Sequence, residues 1–177
     1  MHKLTYRLNQ ISRWEDPLCQ RFNRASRIRW LLRLFRVVSR LGDGVFWYGL
    51  MLALLGWYGR GALHAVAHMA LAGLMCVLLY KWLKRKTSRP RPFQVNQSIL
   101  AGTHPLDQFS FPSGHTLHAV AFTIVALGYF PALAWLVVPF TALVALSRLV
   151  LGLHYPTDVL AGALIGTVVA GISFLLA

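Results

Sequence analysis

Residues 117–146, LHAVAFTIVALGYFPALAWLVVPFTALVAL, form a long run without any Lys, Arg, Asp or Glu. Uncharged runs of about 20 residues are typical of helices that cross a bilayer. Comparable apolar runs occupy residues 45–58, 62–80 and 159–177, and 56% of the 177 residues are hydrophobic. The sequence therefore predicts an all-α, polytopic membrane helical bundle.

The number of spans depends on whether the run 117–146 crosses the bilayer once or twice. The segment Gly128-Tyr129-Phe130-Pro131 interrupts it with two residues that disfavour a continuous helix. The interruption favours two short spans, each about 24 Å long if about 16 residues are helical. Five transmembrane helices are then expected, over residues 45–60 and 62–82, twice within 115–146, and over 156–177.

The residues before the first span are rich in arginine, and the first 30 lack the apolar core of a cleavable signal peptide. Within residues 28–41, apolar side chains alternate with arginines at helical spacing, which predicts an amphipathic helix lying at the membrane interface. Gly42-Asp43-Gly44 ends this helix. We expect residues 1–177 to form a single membrane-embedded domain, with 1–41 as its basic interfacial segment and 42–177 as the helical core that carries the functional site.

The chain is strongly basic, with 18 Lys and Arg against 5 Asp and Glu and a net charge of +13. In a soluble protein this balance would suggest nucleic-acid binding. In a chain mostly embedded in lipid, the cations instead flank helices and meet anionic headgroups. We therefore expect the lipid bilayer as a partner and no nucleic acid. The two cysteines form neither a disulfide framework nor a zinc motif.

Three polar clusters lie at the ends of the predicted spans. The first is Lys84–Pro92 and the second is Pro112–His115. The third has two halves, Ser147-Arg148 and His154–Asp158, on either side of a short connection. With five spans all three clusters lie at one membrane face, whereas a single span over 115–146 would separate the second cluster from the third. A shared functional site therefore favours five spans.

The residue types in these clusters suit a phosphate group. Lys84, Arg91 and Arg148 have no acidic neighbour in the sequence, and arginine matches phosphate oxygens with two hydrogen bonds. Ser113 and Gly114 stand at a helix N-terminus, where free backbone N–H groups favour an anion. These five residues are the candidate phosphate ligands.

Two histidines and one aspartate complete the candidate site. His154 and Asp158 are four residues apart, so the carboxylate can orient one ring nitrogen and leave the other free as a nucleophile. Asp158 would also stabilise the positive charge that develops on the attacking imidazole. His115 can act as the general acid that protonates the leaving alkoxide. His154, His115 and Asp158 are therefore the candidate catalytic residues.

The pattern resembles the three-part signature of the type 2 phosphatidic acid phosphatase (lipid phosphate phosphatase) superfamily, in its bacterial membrane branch. The resemblance covers residues 84–158 and fills every signature position, which are Lys84, Arg91-Pro92, Pro112-Ser113-Gly114-His115, Ser147-Arg148, His154 and Asp158. The chain departs from the many six-span members because its arginine-rich segment stands in place of the first span.

This resemblance implies a metal-independent reaction without cofactors. Phosphate would be bound by Lys84, Arg91, Ser113, Gly114 and Arg148. His154 would form a phosphohistidine with help from Asp158, and His115 would protonate the leaving group. No carboxylate cluster in the sequence suggests a magnesium site. No obligate protein partner is evident.

The expected substrate is a membrane lipid phosphomonoester or diphosphate, because a site at the ends of spans can take a headgroup while the chains stay in the bilayer. Phosphatidylglycerol phosphate, phosphatidic acid, undecaprenyl diphosphate and lipid A phosphate all fit this description. The alternative is a lipid-phosphate transporter or flippase that uses the same cationic recess without catalysis. A further alternative is a vanadium haloperoxidase, which would bind vanadate in the same recess.

The sequence gives two answers about the membrane face. All Lys and Arg residues except Arg60 are expected on the side of the three clusters, so the positive-inside rule places the site in the cytoplasm. The resemblance favours the periplasmic face, because many bacterial relatives act on the outer leaflet. We expect a multi-pass protein of the bacterial inner membrane, with the cytoplasmic face preferred from charge.

Several other polar and aromatic residues have more ordinary expected roles. His64 and His68 are expected to be satisfied between helices rather than to bind a metal, and His118 to pack rather than to line a pocket. Asp43 and Asp107 could reach the rim of the site. Interfacial positions are expected for the cations Lys81, Arg85, Lys86 and Arg89, and for the aromatic belt Trp47, Trp57, Tyr58, Tyr80 and Trp82.

Overall fold

The computed structural model describes residues 2–105 and 107–176, which form eight α-helices and no strand. The expected all-α fold class is therefore confirmed. The helices are α1 (His2–Asn23), α2 (Arg29–Arg40), α3 (Phe46–Tyr58), α4 (Leu63–Thr87), α5 (Pro92–Val95), α6 (Gly114–Tyr129), α7 (Ala134–Val150) and α8 (Pro156–Leu176).

The expected amphipathic helix is α2, and the sequence explains both its faces and its end. Phe35 and Val38 are buried against the bundle, whereas the arginines of the helix are exposed. The chain then turns through Gly44, whose φ of 131° is open to glycine but strained for other residues. This turn separates α2 from α3 and carries Asp43 to the end of the bundle.

The break within the apolar run 117–146 lies where the sequence placed it. Helix α6 ends at Tyr129, a short 3₁₀ turn covers Pro131–Leu133, and α7 begins at Ala134. Proline at the start of the turn cannot donate a backbone hydrogen bond, so the preceding helix cannot continue regularly through it. The two helices therefore run as separate elements.

Three helical segments of the described chain are long and apolar enough to cross a membrane: Arg29–Val95, Pro131–Val150 and Pro156–Leu176. The first contains both α3 and α4, which reverse direction at a turn over Gly59–Ala62. Helix α6 has 16 residues, fewer than the roughly 20 of an ordinary span. The protein is a multi-pass membrane protein, and the total of five spans stays a prediction.

Helix α6 lies at the centre of the bundle and packs against α8, α4 and α7. Glycines let α8 approach it closely, as expected from the small-residue pattern. A Cβ atom at Gly162 would lie 2.6 Å from the carbonyl oxygen of Ser113, and one at Gly166 would lie 2.5 Å from that of Leu117. This contact holds the start of α8 beside the start of α6.

Helix α1 was not expected from the sequence, and it packs across the loops at the same end of the bundle. The side-chain amide of Asn23 donates to the carbonyl oxygens of Leu100 and Val150, both at 2.9 Å, and its oxygen accepts from the N–H of Leu100 at 2.8 Å. Cys19 is buried in the same interface. The N-terminal segment is thus built into the folded end of the bundle.

The expected aromatic belt is wrong for Trp47, and Tyr80 is half-buried with its ring packed against His118. Trp57, Tyr58 and Trp82 are exposed on the bundle surface, but Trp47 is only 1% exposed. Its ring packs against those of Phe46, Phe122 and Phe140. This burial was not predictable from local sequence, because Trp47 stands near a predicted span end like the other belt residues.

Candidate active site

A cavity of about 1000 Å³ lies where the three polar clusters meet. Six of the eight candidate residues line it: Lys84, Arg91, Gly114, His115, Arg148 and His154. Apolar and aromatic side chains of α3, α4 and α6 line another part, including Tyr48, Met51, Leu74, Val77 and Phe122. The cavity follows α4 from Lys84 back to Ala70, about 20 Å along the helix.

The local structure explains how the cations reach this cavity. Lys84 is on the last turns of α4, which ends at the left-handed residue Ser88. Arg91 follows in extended conformation as the N-cap of the short helix α5. Arg148 is on the last turn of α7. All three side chains are at least 93% buried, so each has lost most of its hydration.

Lys84 and Arg91 are paired with a carboxylate that the sequence had placed only near the rim. Lys84 Nζ donates to Asp107 Oδ1 and Oδ2 at 2.7 and 2.6 Å, and Arg91 Nη2 donates to Asp107 Oδ1 at 2.8 Å. Burial alone would raise the pKa of Asp107, but the two cations lower it below its ordinary value. The carboxylate of Asp107 therefore accepts hydrogen bonds from two cations whose donors a bound phosphate would also need.

Arg148 has no carboxylate partner of this kind in the described part of the chain. Its Nη2 donates to the hydroxyl of Ser39 on α2, and its Nε donates to Ser147 Oγ at 3.2 Å. Ser39 also lines the cavity and was not singled out from the sequence. The amphipathic helix therefore contributes directly to the position of a candidate phosphate ligand.

His154 presents one ring nitrogen to the cations and the other to Asp158. Nε2 is 3.3 Å from Arg91 Nη1, and Nδ1 is 3.6 Å from Asp158 Oδ2, longer than an ordinary hydrogen bond. Burial and the nearby Arg91 and Lys84 lower the pKa of His154 well below its ordinary value. The imidazole is therefore neutral at neutral pH, as a nucleophile must be.

Asp158 lies behind His154 rather than in the cavity wall. Its Oδ2 accepts from the backbone N–H of Tyr155 at 2.8 Å, and its Oδ1 accepts from Arg89 Nη1 at 2.5 Å. Arg89 was expected at the membrane interface, and this is wrong: its side chain is fully buried. Its carboxylate partners are distant in sequence, so spacing could not reveal them.

His115 lies in the first turn of α6 and lines the same cavity as His154. Its Nε2 is hydrogen-bonded to Asp43, the second acidic residue that had been placed near the rim. Asp43 reaches it from the turn after α2. Because an ionised carboxylate can only accept, Nε2 carries the hydrogen of this contact, and Asp43 fixes the orientation of the ring.

Ser113 is the candidate phosphate ligand that the structure places away from the cavity. Its hydroxyl is within 2.9 Å of Thr116 Oγ1, and its backbone N–H donates to the carbonyl oxygen of Asp158 at 3.0 Å. It is fully buried. Gly114, the next residue, does line the cavity.

His64, His68 and His118, the three histidines with more ordinary expected roles, divide between the site and the opposite half of the bundle. His118 packs against the rings of Tyr80 and Phe122 and also lines the cavity. His68 is hydrogen-bonded to Tyr129 at 2.9 Å and to Ser173 at 2.8 Å, and His64 packs against the ring of Tyr129. Among the described residues, no three His, Cys, Asp or Glu side chains form a group that could hold a metal ion.

Comparison with known protein families identifies the family of this chain. A family model described as the PAP2 superfamily matches residues 61–177, which include every candidate site residue. The chain belongs to the PAP2 superfamily. The match begins after α2 and α3, so the N-terminal elements lie outside the part that the family model recognises.

Individual PAP2 relatives include bacterial lipid phosphatases. The chain is 39% identical over 85 residues to undecaprenyl-diphosphatase BcrC of Bacillus subtilis, covering 48% of this chain and 43% of the relative. It is 34% identical over 155 residues to decaprenylphosphoryl-5-phosphoribose phosphatase of Mycobacterium tuberculosis, covering 80% and 78%. The first match spans less than half the length of that relative, so it supports the family more firmly than the substrate.

A solved structure agrees in fold over most of the chain. The crystal structure of Aquifex aeolicus LpxE superimposes with a TM-score of 0.77 at 28% identity, covering 90% of this chain and 93% of the other. The bundle therefore has the architecture of a transmembrane PAP2 protein.

Proposed function

We propose that this protein is a membrane lipid phosphatase that hydrolyses a phosphomonoester or diphosphate through a phosphohistidine intermediate. One observation carries the proposal: three buried cations and two histidines surround a cavity whose continuation along α3 and α4 is apolar. The cationic part suits a phosphoryl group, and the apolar part suits the lipid chain attached to it.

The cations would bind the phosphoryl oxygens and stabilise the charge of the transition state. Lys84, Arg91 and Arg148 approach from three different elements, so they can surround one tetrahedral anion. The Asp107 carboxylate must leave Lys84 and Arg91 when the substrate phosphate binds, because both need the same hydrogen-bond donors. Gly114 would let an oxygen approach the first turn of α6 closely.

The two histidines would divide the chemistry. His154 Nε2 attacks phosphorus with its lone pair, and the bond from phosphorus to the leaving oxygen breaks. His115 gives its proton to that oxygen, which leaves as the lipid alcohol or lipid phosphate. Water then attacks the phosphohistidine while His115 accepts a proton from the water, so that phosphate is released and both rings return to their starting states. No step requires a metal ion or a cofactor.

The relatives support lipid phosphates as the substrate class. One is named an undecaprenyl-diphosphatase and another a decaprenylphosphoryl-5-phosphoribose phosphatase, and both names describe phosphates on long polyprenyl chains. Undecaprenyl diphosphate is thus a natural first substrate to test, beside phosphatidylglycerol phosphate, phosphatidic acid and lipid A phosphate. We place the protein in the bacterial inner membrane, where all four lipids occur or are made.

The direct test is phosphate release by the purified protein in detergent with a chelator present, measured against these four lipids. The wild type is expected to hydrolyse at least one of them, and His154→Ala is expected to lose activity by about 10⁴-fold. Activity that disappears with chelator would contradict the metal-free mechanism. If His154→Ala kept its function in cells while Arg148→Ala lost it, the protein would be a transporter instead.

A further inference from the structure

A second charged cluster is buried behind the cavity, and it joins α1 to the start of α8. Its members are Glu15 on α1, Arg89 in the loop after α4, and Asp158 on α8. The side chains of Arg89 and Asp158 are completely buried, and that of Glu15 is 10% exposed. Burying three charges is unfavourable unless their hydrogen bonds are satisfied, so the geometry of this cluster is closely constrained.

Arg89 uses its planar guanidinium to bridge the two carboxylates. Nη1 donates to Asp158 Oδ1 at 2.5 Å, and Nη2 donates to Glu15 Oε2 at 2.7 Å. The guanidinium also stacks on the ring of Tyr155, with its central carbon 4.0 Å from the ring centroid. Only arginine offers this forked set of donors, and lysine could not bond both carboxylates in the same plane.

Besides its contact with Arg89, Glu15 also binds the first turn of α8. Its Oε1 accepts from the backbone N–H of Thr157 at 2.6 Å, and its Oε2 accepts from the hydroxyl of Thr157 at 2.8 Å. A carboxylate at a helix N-terminus satisfies a free N–H group and interacts favourably with the helix dipole. Glu15 therefore fixes the residue immediately before Asp158.

Asp158 is consequently held from two sides while it faces His154. Arg89 holds one of its oxygens, and the backbone N–H of Tyr155 holds the other. Oδ2 stays 3.6 Å from His154 Nδ1, close enough to shorten into a hydrogen bond when positive charge develops on the ring. A carboxylate fixed in this way needs no reorganisation when His154 attacks.

We propose that Glu15 and Arg89 are positioning residues that hold Asp158 in register with His154 for phosphoryl transfer. The inference rests on the proposed function, in which His154 is the nucleophile. It assigns α1, which lies outside the matched part of the family model, a role in the reaction rather than only in packing. Neither residue touches the cavity, so both act through Asp158.

The test compares two anions that report different states of the site. Orthovanadate can form a fifth bond to His154 Nε2 and so mimics the transition state, whereas inorganic phosphate binds the cations alone. In the purified full chain, Glu15→Gln is expected to weaken orthovanadate binding about tenfold in titration calorimetry and to change phosphate binding by less than about twofold. With a lipid phosphate that the wild type hydrolyses, the kcat of Glu15→Gln is expected to fall about tenfold at unchanged KM.

A double variant separates positioning from general destabilisation. If Glu15 acts through Asp158, orthovanadate binding in Glu15→Gln/Asp158→Asn is no weaker than in Asp158→Asn alone. Additive losses would overturn the inference, as would equal weakening of both anions by Glu15→Gln. Arg89→Lys provides a second variant, with the same selective loss expected because lysine cannot bridge the carboxylates.

The matched control is Asp16→Asn on the same helix. Asp16 accepts from Asn96 at 2.8 and 3.0 Å and from Gln20 at 2.9 Å, so these hydrogen bonds go to residues outside the cluster. Both anion affinities are expected to stay within about twofold of the wild type. A wild type that bound the two anions equally would overturn the proposed function together with this inference, whereas selectivity that survives in Glu15→Gln would overturn this inference alone.

Discussion

The charge state of His154 decides at the residue scale whether the site can attack phosphorus. A protonated imidazole has no lone pair to offer, so activity falls as pH drops through its pKa. Because burial and the neighbouring cations lower that pKa well below 6.5, the neutral form persists to more acidic pH than in an exposed histidine.

We therefore expect kcat/KM to stay constant as pH is lowered from 7 to about 6 and to fall only below that value. The profile is measured by phosphate release in detergent with a chelator present. An acidic limb centred at or above pH 6.5 would show that the cations around His154 do not suppress its protonation in solution.

Asp107 is the residue whose effect on substrate binding can be measured most directly. Its carboxylate holds Lys84 and Arg91 in the free protein and repels an incoming anion. Replacement by Asn removes that competition, so inorganic phosphate is expected to inhibit Asp107→Asn at concentrations about tenfold lower than the wild type. A higher inhibition constant would mean instead that Asp107 positions the two cations for phosphate. Asp107→Glu, which keeps the charge, is the control.

At the scale of elements, the contact between α6 and α8 sets the spacing of the two catalytic helix ends. A methyl group at Gly162 would meet the backbone oxygen of Ser113 at 2.6 Å, and backbone cannot move aside as a flexible side chain can. Gly162→Ala is expected to destabilise the fold by about 1–3 kcal/mol. Thermal unfolding in detergent measures this loss.

Gly171→Ala on the same helix is the control, because no atom outside α8 lies within 4 Å of the position where its Cβ would be. Its unfolding temperature is expected to equal or slightly exceed that of the wild type, since alanine favours a helix over glycine. Equal destabilisation by both variants would show that helix propensity, not close packing on α6, limits stability here.

Helix positions were largely predictable from the sequence because they depend on local patterns. The apolar runs, the glycine turn at Gly44 and the break before Pro131 each act over a few residues, and the structure has them where expected. Helix α1 was missed because its polar and apolar residues give no long apolar run. It makes contacts with distant loops, such as those of Asn23, that no local pattern in the sequence indicates.

At the scale of the whole molecule, residues of one motif could be found by spacing, but their partners could not. Lys84, Arg91, Arg148 and His154 were identified from short signatures, and the fold brings them to one cavity. Asp107 is 23 and 16 residues from Lys84 and Arg91, and Glu15 is 74 residues from Arg89. The sequence placed Asp107 no closer than the rim of the site and did not single out Glu15. Such pairs form only because distant loops close over the same end of the bundle, which is a property of the tertiary fold.

Membrane orientation is also a property of the whole molecule, and a reporter fusion can measure it. The structure packs α1 against the loops that hold the site, so the basic N-terminal segment lies at the site end. Because cytoplasmic segments are enriched in Lys and Arg, this end is expected in the cytoplasm. With the expected odd number of spans, five, residue 177 is then expected in the periplasm.

Alkaline phosphatase fused after residue 177 folds to an active enzyme only when exported, so the fusion is expected to be active. A green fluorescent protein fusion at the same position, which fluoresces in the cytoplasm, is expected to be dark. The reverse pair of results with five spans would put the site in the periplasm, and the arginines of α1 and α2 would then face the headgroups of the outer leaflet.

A cysteine introduced at Arg60, on the turn at the opposite end of the bundle from the site, checks the span count. With five spans, residues 60 and 177 lie on the same face of the membrane. Impermeant maleimide should label this cysteine in intact spheroplasts only if the site is cytoplasmic. One span separates residue 60 from the N-terminal segment, so residue 60 is then on the periplasmic face.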